Sequence, residues 1–213
     1  MPPPSLPDLD NTLIVVGNKE QNDEHGHYRY LDGNRYQKHQ LLPIGEFVPF
    51  EDILRPIAPL FDLPMSSFSR GDKVQDNLRA NGFSLLPAIC YEIVFADLVR
   101  GNYKSDSDIL FTVSNDAWFG DSIGPHQHMQ IARMRALELQ RPLVRVTNNG
   151  ISGVYDPISQ TRQTMPQFEA TTLKANIKLI QGDSLYSQHG NMFVWFILVL
   201  LTLVSGIFKQ RHQ

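Results

Sequence analysis

The stretch LLPAICYE, residues 85–92, decides the fold. Leu85, Leu86, Ala88 and Ile89 form an apolar run that delivers Cys90, the only cysteine of the chain, to its end, and Tyr91 and Glu92 come directly after it. A short apolar run of this kind reads as a buried strand, and a strand that stops on a thiol can present a nucleophile. The competing reading is a core residue, since free cysteine commonly behaves as a small buried hydrophobe. Downstream, ILFTV (residues 109–113) is a second buried strand ending in Ser114-Asn115-Asp116, and LVRVT (residues 143–147) is a third, closed by Asn148-Asn149-Gly150. A helix starts within residues 93–100. A second, amphipathic helix covers residues 127–140, where Ile131, Met134 and Leu137 recur at three-residue spacing beside Ala132, Ala136 and Leu139. Pro142 ends it. Apolar strand, polar strand end, helix, apolar strand is an α/β pattern, with chemistry expected at one edge of the sheet.

The flanking segments are less regular. Residues 1–11 (MPPPSLPDLDN) have neither the basic start nor the apolar centre of a signal peptide, and their prolines predict a disordered lead-in. TLIVV (12–16) reads as a buried strand, 28–31 with Asp32-Gly33 as a hairpin, and RYQKHQLL (35–42) as its returning strand. PIGEFVP (43–49) is a proline-bracketed loop, 51–60 a short helix, and 61–71 a loop exposing Phe61, Leu63, Met65 and Phe68. AWFGDSIG (117–124) is a loop carrying two aromatics, Trp118 and Phe119; residues 153–156 and 173–180 read as further strands.

At 213 residues the chain can form one substantial domain, placed at residues 12–190. A net charge of −3 with no basic cluster gives no indication of nucleic-acid binding. A single cysteine excludes an intrachain disulfide, and the His126/His128 pair lacks a further ligand at metal-binding spacing, so neither a metal nor a cofactor is called for. Residues 192–208 (MFVWFILVLLTLVSGIF) carry no charge and sit at the lower length limit of a transmembrane helix. Trp195 near the start and the basic tail at 209–213 resemble interfacial anchors, which favours a membrane span over a buried core helix and places the C-terminus in the cytoplasm.

Three strand ends, at Cys90-Tyr91-Glu92, Ser114-Asn115-Asp116 and Thr147-Asn148-Asn149-Gly150, thus converge on one place. Lys38 and Glu46 are added to them. A cysteine nucleophile needs a neighbouring cation or base, and a tetrahedral intermediate needs a positive group at its oxyanion; one lysine can meet both needs if a carboxylate holds it. Taken singly, Lys38, Glu46 and Glu92 would be ordinary surface charges.

The segments QKHQLLPIGEFVPFEDILRPIAPLFDLPMSSFSRGD, AICYE, TVSNDAWFG, GPHQHMQIARMRALELQRPLVRVTNNG and the apolar C-terminal run together resemble the apolipoprotein N-acyltransferases, a membrane-bound branch of the nitrilase (carbon–nitrogen hydrolase) superfamily. The resemblance implies an α-β-β-α sandwich, present in part, followed by one C-terminal transmembrane helix. It makes Cys90 the nucleophile, Lys38 the triad lysine and Glu46 an essential second glutamate, with Tyr91 and Glu92 supporting the site. Trp118 and Phe119 match an aromatic loop near the pocket mouth, with 61–68 as its partner in admitting lipid. The implied reaction moves an acyl chain from a phospholipid donor, through a Cys90 thioester, to the amino group of a diacylglyceryl-cysteine lipoprotein, at the periplasmic side of a bacterial inner membrane.

The sequence also departs from that family. The general-base glutamate, which lies there in a Pro-Glu motif upstream of the lysine, has no counterpart, since Glu20 and Glu24 sit in a polar loop; the preceding multi-helix membrane domain is also missing. The expectation is therefore a C-terminal portion of a longer enzyme, inactive or nearly so by itself. A tethered amidase using the same Cys90 and Lys38, and a non-catalytic lipid-binding remnant, are the rival readings.

Overall fold

The computed structural model describes residues 10–17, 27, 32–43, 45–47 and 68–211, with side chains through residue 205. The expected helix at 51–60, the start of the hairpin at 28–31, Glu20, Glu24, most of the 61–68 loop and the end of the basic tail lie outside the described residues. The strands are β1 (Thr12–Ile14), β2 (Arg35–Gln37), β3 (Leu78–Ala80), β4 (Phe83–Ile89), β5 (Ile109–Ser114), β6 (Leu143–Thr147), β7 (Gly153–Tyr155) and β8 (Arg162–Thr164). The helices are α1 (Ala96–Asn102), α2 (Gly124–Leu139), α3 (Leu185–His189) and α4 (Met192–Arg211).

Strands β3 to β8 form one six-stranded sheet in sequence order, and β1 pairs with β2 in a separate antiparallel sheet. Within the larger sheet β4, β5 and β6 are parallel, and the outer strands add antiparallel pairs on both sides. The parallel centre is rooted in the sequence: each of its strands is a near-continuous apolar run and each connection contains a helix. Alternate residues Leu86, Ala88, Leu110 and Leu143 point to one face and pack against Val99 of α1 and against Met129, Ala132, Ala136 and Leu139 of α2, forming the core. The opposite face is less covered; Val146 there is 48% exposed.

The register aligns Ile89 with Val113 and Ser114 with Thr147, so the parallel strands end together. The residues just past these ends, Cys90, Asn115-Asp116 and Asn148, therefore gather at one edge of the sheet, where doubly wound sheets place their ligands.

Several expectations change. The strand read at 12–16 is only Thr12–Ile14 and lies partly exposed; among the described residues it pairs with β2 alone. The returning strand ends at Gln37, not at residue 42. Residues 173–180 are not a strand: they run as irregular, mostly exposed chain. Asp10 and Asn11, assigned to the disordered lead-in, are ordered by hydrogen bonds to Gln37, Lys38 and Glu46.

Helix α4 spans twenty residues, and its described side chains are mostly apolar on every face, with Phe193, Trp195, Phe196, Ile197, Val199 and Leu201 each more than half exposed. Among the described residues no helix is long and apolar enough to cross a membrane.

Candidate active site

Cys90 leaves the end of β4 and opens a 3-10 helix over Cys90–Val94. Its backbone φ is +53°, in the left-handed region, which is rarely occupied by a non-glycine residue and persists only where the surroundings impose it. The thiol lines a cavity of about 620 Å³ together with Lys38, Glu46, Ser114, Asn115, Trp118, Thr147 and Asn148. All three strand ends expected to meet do meet here. Cys90 is half-buried and accessible from this cavity, so the core-residue reading is set aside.

Lys38 directly follows β2 and is 1% exposed. Its Nζ stands 2.7 Å from both carboxylate oxygens of Glu46. Glu46 is itself held: Oε1 accepts from Asn11 Nδ2 at 2.7 Å and Oε2 from the Leu42 N–H at 2.8 Å. A buried lysine needs such a partner, and this one fixes Nζ on the wall of the cavity that Cys90 opens into. The backbone around Lys38 is clamped as well, its N–H donating to the Asn11 carbonyl and its own carbonyl accepting from Gly71 N–H. Gly71 has no room for a side chain, because a Cβ would collide with the Gln37 carbonyl.

Glu92 does not face the cavity; it is fully buried and ties the Cys90 segment to the Lys38 segment. One oxygen accepts from Ile89 N–H at 2.8 Å and Tyr36 O–H at 3.1 Å, the other from His39 N–H at 2.7 Å and Gln40 N–H at 3.1 Å. These are residues next to Cys90 on one side and next to Lys38 on the other. Burial, then the charge and hydrogen bond of Glu92, pushes the Tyr36 hydroxyl well above the usual phenol range. Tyr91 packs edge-on against Phe95, with ring centroids 4.9 Å apart. With Leu42, Val94, Trp118, Phe119 and Ile131, Tyr91 lines a second, apolar pocket of about 290 Å³ that also reaches Cys90. Trp118 is 81% exposed at the rim of both cavities.

The sequence reading did not assign the polar cluster under Cys90. Asp116, buried, receives Arg145 Nη2 at 2.9 Å and Ser114 Oγ at 2.6 Å, and lies 3.2 Å from His128 Nδ1. Burial alone would raise the Asp116 carboxyl, but the contact with His128, the hydrogen bond from Ser114 and the Arg145 charge outweigh it and lower it to about 2. Gly150 presses against this carboxylate so closely that a Cβ would overlap it. One signal was present in the sequence: Arg145 stands inside the apolar run LVRVT, and a buried arginine must find an anion.

The chemistry available is that of a thiol at a strained strand end, a carboxylate-held lysine on the same cavity wall, and an apolar pocket alongside. That combination can bind an acyl chain, accept its carbonyl carbon on sulfur and hold the oxyanion on Lys38. Among the described residues Glu46 is the only carboxylate lining the cavity, and both of its oxygens contact Lys38.

A family model described as carbon–nitrogen hydrolase matches residues 5–185. The chain is 52% identical over 203 residues to the apolipoprotein N-acyltransferase of Photobacterium profundum, covering 95% of this chain and 38% of that protein. It is 53% identical over 204 residues to the apolipoprotein N-acyltransferase of Vibrio vulnificus, covering 95% and 39%. The chain thus spans about two fifths of the length of these curated relatives. Among solved structures, the C. elegans NitFhit protein is similar at 21% identity and a TM-score of 0.46, over 62% of this chain and 32% of that one.

Proposed function

The chain belongs to the carbon–nitrogen hydrolase family, and from that premise we propose that it carries the nucleophile of an N-acyltransferase that matures bacterial lipoproteins. The observation that carries the reading is the shared cavity: Cys90 and the Glu46-held Lys38 line the same 620 Å³ space, beside an apolar pocket. The high identity to relatives named apolipoprotein N-acyltransferase supports the choice of substrates.

In the first step the Cys90 thiol gives up its proton, which ends on the leaving lysophospholipid oxygen, and the thiolate attacks the sn-1 ester carbonyl of a phospholipid. Lys38 Nζ stabilises the tetrahedral oxyanion, an interaction worth about a hundred- to a thousandfold in rate at sites of this kind. The ester C–O bond breaks, the lysophospholipid leaves with a proton, and the acyl group remains on sulfur. In the second step the free amino group of a diacylglyceryl-cysteine lipoprotein attacks the thioester; the C–S bond breaks, an amide forms and the Cys90 thiol returns.

Both substrates are lipids of a membrane surface, and α4 with the residues after it is assigned the role of anchor. Its apolar side chains face outward on every side, which in water would be unfavourable and in a bilayer is the normal state of a helix. Trp118 and Phe119 at the rim admit the lipid. The reading places the catalytic domain on the periplasmic side of the inner membrane.

The test that separates this activity from that of an amidase uses chain preloaded with acyl on Cys90. Addition of a synthetic diacylglyceryl-cysteine peptide should transfer the acyl group to its amine. Loss of the acyl group only to water, with ammonia released from simple amides, would contradict the proposal.

A further inference from the structure

The polar cluster beneath Cys90 takes no part in the two steps of the proposed reaction, yet it touches the nucleophile. Arg145 stands in β6 on the face covered by α2, Asp116 comes from the loop after β5, and His128 from the second turn of α2; their side chains are at most 7% exposed. Across the ring from Asp116 and Arg145, His128 Nε2 lies 3.2 Å from the carbonyl oxygen of Cys90. A carbonyl can only accept, so Nε2 is the nitrogen that carries the proton. Arg145 Nη2, which can only donate, faces Nδ1 at 2.9 Å and matches the same tautomer. Asp116 Oδ1, 3.2 Å from Nδ1, accepts from Ser114 Oγ.

Cys90 is in the left-handed region, where an L side chain is held rather than relaxed. Glu92 fixes the residue before it through Ile89 N–H. The carbonyl after it is the other handle. We propose that His128 is the positioning residue of the nucleophile: its Nε2–H anchors the Cys90 carbonyl and keeps the thiol presented to the cavity, while Arg145 Nη2, held by Asp116 Oδ2, donates to Nδ1 and keeps the imidazole in the tautomer that can donate. Without that bond the residue can relax toward negative φ, which swings Cβ and Sγ away from the cavity wall shared with Lys38. This rests on Cys90 being the nucleophile, but it is tested without an acyl donor.

The chain has one cysteine, so alkylation by iodoacetamide reads Cys90 alone. In the full chain, His128→Gln puts an amide donor near the Nε2 position, whereas His128→Asn puts it near Nδ1 and leaves the Cys90 carbonyl without its donor. The glutamine variant should alkylate within about threefold of the unsubstituted chain and the asparagine variant about tenfold slower, in line with the loss of one buried hydrogen bond. Both variants keep a polar group in the cluster, so a merely structural role would affect them alike. Equal rates for the two variants, or an asparagine variant as fast as the unsubstituted chain, would overturn the assignment. Nitrogen NMR of the unsubstituted protein gives a second reading: the Nε2–H tautomer of His128 is expected, and an Nδ1–H tautomer refutes it.

Discussion

Glu92→Gln probes the link between the Cys90 and Lys38 segments with the smallest possible change in shape. The carboxylate accepts four hydrogen bonds and offers no donor, which suits four surrounding donors. The amide replaces one oxygen by an NH2 group. Turned toward His39 and Gln40, that group would face two backbone N–H donors, neither of which can accept. Turned toward Ile89 and Tyr36 it meets one N–H and one hydroxyl, and the hydroxyl can rotate to accept. The second orientation is therefore favoured and leaves Ile89 N–H as an orphan. One buried unsatisfied donor costs about 1–3 kcal/mol, and weakening of the charge-assisted bonds adds a further ~1 kcal/mol. Urea unfolding should show a loss of about 2–4 kcal/mol with an unchanged slope. Because the orphan precedes Cys90, alkylation of the thiol should also slow. A Glu92→Gln chain within about 0.5 kcal/mol of the unsubstituted one, the range of an ordinary surface change, would refute the tie between the two segments.

The same contacts have other consequences. The folded state holds the Asp116 carboxyl at about 2 against an ordinary value of 3.8. Its stabilising contribution is thus complete above the ordinary value and is lost as pH falls through about 2. The loss amounts to about 2 kcal/mol and should be missing from the acid limb of an Asp116→Asn chain in urea titrations. Gly150→Ala drives a Cβ into the Asp116 side chain and should destabilise the chain by about 1–3 kcal/mol in thermal melts; a neutral substitution would show that Asp116 is not seated against residue 150. The chain has two tryptophans, so Trp118→Phe leaves Trp195 as a single reporter in α4. Phospholipid vesicles brominated along the acyl chains should quench it strongly, and unquenched emission would contradict the anchor.

The centre of the fold was legible because its strands are pure apolar runs with polar ends, and a parallel register does the rest: β4, β5 and β6 stop together and so bring Cys90, Asn115 and Asn148 to one edge. The margins were not. β3 and β8 are three residues long and carry arginines, so neither has a hydrophobic period. Residues 173–180 have a strand-like composition, but a strand forms only where tertiary pairing is made, which no local pattern reports. Lys38 and Glu46 were drawn to the site by the need of a thiolate for a cation and of that cation for a carboxylate, and the structure supplies their direct contact. His128 escaped because its partners, Asp116 and Arg145, come from different elements, and the HQH pair invited only a metal question.

The central claim is that Cys90 carries the acyl group with Lys38 at its oxyanion. It is tested most directly by mixing the chain in detergent micelles with p-nitrophenyl palmitate, whose leaving group needs little assistance, and mapping the adduct by peptide mass spectrometry. The account predicts one acyl group on the peptide containing Cys90, none in Cys90→Ala, and formation slowed about a hundredfold or more in Lys38→Met. Acylation at another residue, or a Lys38→Met chain that loads Cys90 at the unsubstituted rate, would contradict it.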